Sequence, residues 1–111
     1  MAYDSELVDR VREFFGERGI TFDEQPMFGT LAFLVSRRAV VCVRDSELMV
    51  RVDSEAAAAM MARYTFVRPL VMGRREMSGW VVVDPEHLAG KERLSNWIEE
   101  GLDHAGVPFG T

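Results

Sequence analysis

Between Leu31 and Val52 the chain holds three short runs of β-forming residues, separated only by Ser36-Arg37-Arg38 and Asp45-Ser46. Connections this short suit hairpins, so the middle of the chain reads as consecutive antiparallel strands. The strands are placed over residues 28–35, 39–44 and 47–52. The third alternates cleanly, with Leu48, Val50 and Val52 on one face and Glu47, Met49 and Arg51 on the other. An antiparallel sheet with one buried and one wet face is the expectation.

Helical signals flank this block. Residues 4–18 form an amphipathic helix by pattern: Leu7, Val8, Val11, Phe14 and Phe15 recur at a 3.6-residue period. Asp4 is the expected N-cap and Gly19 the stop. Residues 20–26 read as a linker, polar apart from Ile20 and Phe22. Residues 54–63, rich in alanine, read as a second helix. A fourth strand over 64–72 carries Pro69, which predicts an edge position or a bulge. Residues 73–76 read as a turn, and residues 79–84 as a fifth strand. Asp84-Pro85-Glu86 then combines an N-cap acid, a proline at N1 and a first-turn acid. Gly90 divides that first turn from a main helix whose stripe is Leu94, Trp97, Ile98, Gly101, Leu102 and Ala105. The order α-β-β-β-α-β-β-α predicts a two-layer α+β sandwich: a five-stranded, mainly antiparallel sheet with its helices on one face.

A chain of 111 residues is sized for one domain spanning 1–111. Its charge is uneven: residues 26–80 hold eight arginines against five acids, while both flanks are acidic and the net charge is −5. That sign argues against a non-specific nucleic-acid binder, whose domains are usually basic. Cys42 is the single cysteine, so no intramolecular disulfide forms, and a reducing cytoplasm is expected. The acidic start does not read as a signal peptide, and the apolar runs are strand-sized, so no membrane association is expected.

Two glycine-aromatic motifs punctuate the sheet region. Met27-Phe28-Gly29-Thr30 precedes the run 31–35, and Gly79-Trp80 opens Val81-Val82-Val83-Asp84-Pro85. Glycines at strand mouths mark bulges or close backbone approach. Together with Phe33, the stretch Asp45 to Leu48, Arg51 and the opening Met1-Ala2-Tyr3-Asp4, these motifs resemble the N-terminal domain of the TfoX/Sxy family. The resemblance covers nearly the whole chain, although Thr30 stands where the family commonly has a second glycine. It implies a fold similar to secretion chaperones. It also implies a regulatory role, because longer members, which carry an added C-terminal helical domain, act as transcriptional co-activators of bacterial natural competence.

The residues themselves offer little catalytic chemistry. His87 and His104 are the only histidines, and no Cys-x-x-Cys or His-Glu-x-x-His spacing exists, so no metal site or cofactor is expected. His104 is expected on an exposed helix surface and His87 in solvent. Cys42, between Val41 and Val43, reads as a small buried hydrophobe. Neither a phosphate loop nor a Gly-x-Ser-x-Gly elbow is present. The candidate binding residues are therefore Arg37, Arg38, Arg74 and Arg75 in turns, and Phe28, Gly29, Gly79 and Trp80. If the turns share one end of the sheet, four guanidinium groups could meet a phosphate or an acidic partner. Phe28 and Trp80 read as core under the helices, or as the walls of a groove beside the two glycines.

The leading expectation is a non-enzymatic regulatory or protein-interaction module, with a second copy of the chain among its candidate partners. Nucleic-acid association through an arginine-bearing face is one alternative. A small-ligand enzyme with a groove near Gly29 and Gly79 is the other.

Overall fold

The computed structural model describes residues 3–27 and 29–107. Helix α1 (Ser5–Arg18) is followed by β1 (Asp23–Met27), β2 (Thr30–Val35), β3 (Arg38–Arg44) and β4 (Glu47–Arg51). Then come α2 (Ser54–Arg63), β5 (Val67–Met72), β6 (Arg75–Val83), a 3-10 turn (Pro85–His87) and α3 (Lys91–His104). The six strands form one antiparallel sheet in the order β1-β2-β3-β4-β6-β5. The α+β layering is as expected, but the strand count of five is corrected to six.

The added strand, β1, occupies the segment read as a polar linker. Its residues are exposed except for the half-buried Met27, so it carries no apolar alternation. Backbone pairing holds it: Asp23 opposes Leu34 and Met27 opposes Thr30. An ion pair ties it to α1, because Arg12 grips the Glu24 carboxylate with Nε at 2.6 Å and Nη2 at 2.8 Å. Just before it, Phe22 packs against Phe15 and Phe33, with centroids 5.0 and 5.9 Å away.

The helices cover one face. Leu7, Val11 and Phe15 from α1, Ala57 from α2, and Leu94, Ile98 and Leu102 from α3 pack on Leu31, Phe33, Val41, Val43, Leu48, Val50, Val81 and Val83. Each fully buried Phe or Leu contributes about 1.5–3 kcal/mol. Helix α3 comes closest where β3 bulges at Val40, opposite Phe33 and Leu34 of β2. A Cβ on Gly101 would stand 2.6 Å from the Val40 carbonyl oxygen. Arg38 closes the end of α3 by donating from Nη1 to the Ala105 carbonyl at 2.7 Å.

The opposite face is not wet. Ala32, Cys42, Met49, Leu70 and Val82 form a second buried cluster, bordered by Met27, Leu34, Met72, Met77 and Trp80. The cover comes from the β5–β6 hairpin. Pro69 opposes Val81 but Leu70 opposes Met77, so Ser78, Gly79 and Trp80 bulge from the ladder. The distal hairpin thereby packs Leu70, Met72 and Met77 against the helix-free side of β2 and β3. Near its turn, Val71, Met72 and Gly73 share a surface depression with Arg44, at the far end of β3. Pro69 thus lies on an edge strand, beside the bulge of β6, as its missing N–H favours.

Two outcomes follow. Gly101→Ala should lower stability by about 1–3 kcal/mol through overpacking, despite the ~1 kcal/mol that alanine gains in a helix. Gly16→Ala, with nothing within 4 Å of its added Cβ, should raise stability by about 0.5–1 kcal/mol. Urea melts of the two variants should therefore shift in opposite directions.

The hydrogen bonds from Arg12 hold the Glu24 carboxyl below its ordinary value, against a smaller desolvation effect. A carboxyl depressed in the folded state adds stability above its unfolded value and loses it as pH falls through the folded one. Amide shifts of β1 should therefore move toward coil values, ahead of β3, once the pH falls below the ordinary glutamate range. Glu24→Gln should show the frayed β1 at neutral pH. An unaltered β1 in that variant would refute the clasp.

Candidate functional site: an aromatic cleft between two helices

The site that the fold assembles lies at the C-terminal end of α2. Helix α2 stops at Arg63, and Tyr64 is extended (φ −122°, ψ 122°) with its N–H still donating to the Met60 carbonyl at 2.8 Å. A turn then brings the Val67 N–H to the Tyr64 carbonyl at 3.3 Å, and β5 begins. This short link presents Tyr64 and Phe66 side by side, with ring centroids 5.1 Å apart. The 3-10 turn after β6 lays the His87 imidazole on Phe66 at 3.7 Å and 13°. Trp97 of α3 stands nearly perpendicular to Tyr64 and Phe66, at 6.4 and 6.3 Å. These rings, all half-buried, bound a cleft of about 570 Å³ whose rim carries Arg63, Arg93, Asn96 and Glu100.

The rim cations are uncommitted. Arg63 rests on the Tyr64 ring at 5.2 Å, and neither Arg63 nor Arg93 meets an acid among the described residues. Glu100 is turned toward His104, whose Nε2 lies 3.4 Å away. A second cleft, about 620 Å³, lies between α1 and the segment leading into α3. Its cations are engaged: Arg10 donates to the Leu88 and Gly90 carbonyls at 2.7 and 3.3 Å, and Lys91 pairs with Glu17 at 2.7 Å.

The residues singled out from sequence do not assemble at this cleft. Phe28 lies outside the described residues. Gly29 sits in the β1–β2 turn with φ +76°, so the strand expected from residue 28, β2, begins at Thr30. Thr30 is buried, and its hydroxyl donates to the Met27 carbonyl at 2.7 Å. Gly79 is at the opposite end of the sheet, in the β6 bulge. Its carbonyl accepts from the Val52 N–H at 2.9 Å, and a Cβ there would lie 3.3 Å from the Val52 oxygen. Strands β3 and β4 separate the two glycines. Trp80 packs on the face away from the helices, beneath the Arg51 guanidinium at 5.0 Å.

Arg37, with φ +69°, is exposed in the two-residue β2–β3 turn, whereas Arg38 is committed to the end of α3. Arg74 and Arg75 are exposed where the β5–β6 hairpin turns. Among the described residues Arg37, Arg74 and Arg75 meet no acid, and Arg38 is held at the Ala105 carbonyl, so the four share no common partner.

Cys42 is buried, and burial pushes its thiol up to about 12, against a smaller opposing effect of Arg51. His87 is half-buried on Phe66 rather than in solvent. His104 is also half-buried, between the carboxylates of Asp53 at 3.7 Å and Glu100 at 3.4 Å. Among the described residues no three His, Cys, Asp or Glu side chains come together as metal ligands.

Sequence patterning missed the cleft because its residues wore structural signals. Trp97 falls on the α3 stripe, and Tyr64 and Phe66 read as the start of a strand.

These features define a small α+β protein whose sheet and helices assemble a cleft ringed by aromatic side chains. The TfoX N-terminal domain family matches residues 19–105, and the chain belongs to that family. Comparison with curated proteins finds no match, and comparison with solved structures finds none. No helix among the described residues is long and apolar enough to cross a membrane.

The burial of Cys42 has a direct readout. A thiol-reactive dye at pH 8 should label the folded protein slowly and the urea-unfolded protein at the rate of a free thiol. Rapid labelling without denaturant would show that the hairpin cover opens readily.

Proposed function

We propose that this protein is a non-enzymatic regulatory module that acts by binding another protein at the cleft of Tyr64, Phe66 and Trp97. The observation that carries this reading is the chemistry of the cleft. Half-buried Trp and Tyr beside uncommitted Arg is the composition that dominates binding energy at protein interfaces. Membership of the TfoX N-terminal domain family fits a regulatory module. The free Cys42 fits a reducing cytoplasm.

The reading predicts a discrete contact in cells. With the photo-crosslinker p-benzoylphenylalanine in place of Asn96 on the rim, irradiation should yield a defined protein adduct. The same group in place of the exposed Glu76, on the β5–β6 hairpin, should yield none. An adduct at twice the chain mass would make the partner a second copy of this protein. Absence of any adduct from position 96 would overturn the reading, as would metabolite turnover abolished by Trp97→Ala.

A further inference from the structure

Of the thirteen cationic side chains, eight are engaged by carboxylates or backbone carbonyls. Arg10, Arg38 and Arg51 donate to carbonyls, while Arg12, Arg18, Arg44, Arg68 and Lys91 pair with acids. Among the described residues, Arg37, Arg63, Arg74, Arg75 and Arg93 have neither kind of partner. Two of these five, Arg63 and Arg93, flank the same aromatic cleft. On a chain of net charge −5, where acids to pair with are in excess, two free guanidinium groups on one apolar rim are a local inversion of sign.

We infer that the cleft receives an acidic segment of its protein partner, which anchors one bulky apolar side chain against Trp97 and Met60. Carboxylates flanking that anchor meet Arg63 and Arg93. This deepens the protein-contact reading above and rests on it.

Charge complementarity selects the partner's sign, because a basic segment would meet the like charge of the two lining arginines. Ring geometry selects a side chain over a nucleotide base. Phe66 and His87 already stack, Tyr64 tilts against Phe66 at 33°, and Arg63 lies over the Tyr64 ring. A base would need an open ring face, whereas an aliphatic or aromatic side chain can pack on ring edges. Glu100, the acid on this rim, faces His104 and does not neutralise either arginine.

The test uses the full chain, isotope-labelled, with three peptides of sequence Asp-Glu-Phe-Glu-Asp, Ser-Gly-Phe-Gly-Ser and Lys-Lys-Phe-Lys-Lys, and with AMP. The acidic peptide should shift the Trp97 indole and the Tyr64 and Phe66 amides at millimolar concentration, and the basic peptide should not. Arg63→Ala combined with Arg93→Ala removes two exposed groups that pair with no acid, and with Arg63 its contact on the Tyr64 ring, and leaves the core intact. It should weaken the acidic peptide about tenfold, the effect of two exposed ion pairs. Raising the salt should weaken it in the same direction.

Equal shifts from the neutral or basic peptide, or affinity unchanged in the double variant, would overturn the acidic preference. No shift with the acidic peptide would do the same. Shifts with AMP alone would assign the cleft to a nucleotide instead. A protein adduct from position 96 alongside any of these failures would leave the protein-contact reading standing and remove only the partner's chemistry.

Discussion

The central strands carry apolar side chains on both faces, and every other part of the fold answers to that constraint. Val41, Val43, Leu48, Val50, Val81 and Val83 point one way, while Cys42, Met49 and Val82 point the other. A sheet of this kind must be covered twice, because each side chain left in water forfeits about 1.5–3 kcal/mol. Three helices cover one face. No helix among the described residues remains for the other, and the distal half of the β5–β6 hairpin is turned over it. The bulge at Ser78-Gly79-Trp80 makes the turn, and Pro69 keeps the bent strand at the sheet edge.

The same economy governs the charges. Much of the arginine complement is consumed in holding elements together: Arg12 clasps β1, Arg10 ties α1 to the segment before α3, and Arg38 closes α3. Arg68 reaches both Asp84 and Glu47 across the strands of the second face, and its hydrogen bonds to Asp84 and then Glu47 raise its own proton affinity. Guanidinium groups spent this way are unavailable to a partner. Those left over gain meaning from where the fold sets them, and the pair beside Tyr64 and Trp97 is the pair that meets an apolar cleft.

Legibility followed the physical signal in each segment. Helix α2 matches its expected span, 54–63, because alanine-rich propensity and the Asp53 cap agree; the Asp53 carboxylate accepts from the Ala56 N–H at 2.7 Å. Helix α1 and the stripe of α3 were readable from their period. Strand β1 was invisible because Asp-Glu-Gln-Pro-Met has no alternation and is held by its neighbour's backbone. The first half of β6 was missed for a related reason: Arg75, Glu76 and Ser78 are exposed and look like a turn. The glycine-aromatic motifs were sound guides to family and geometry. Gly29 makes a left-handed turn and Gly79 a bulge, but the register sets them at opposite ends of the sheet.

The sequence by itself determined the class, the antiparallel hairpins, the helix limits and the family, because local propensity, period and caps act within a few residues. Tertiary structure alone decided that the sheet has two dry faces and that the two glycines stand apart. It also decided which arginines remain free beside which rings. Those outcomes depend on pairing register and on bends at Val40 and at Ser78 to Trp80, where residues distant in the chain compete for the same partners. Tyr64, Phe66, His87 and Trp97 are separate in the sequence, and packing of α2, the 3-10 turn and α3 on one sheet makes them neighbours.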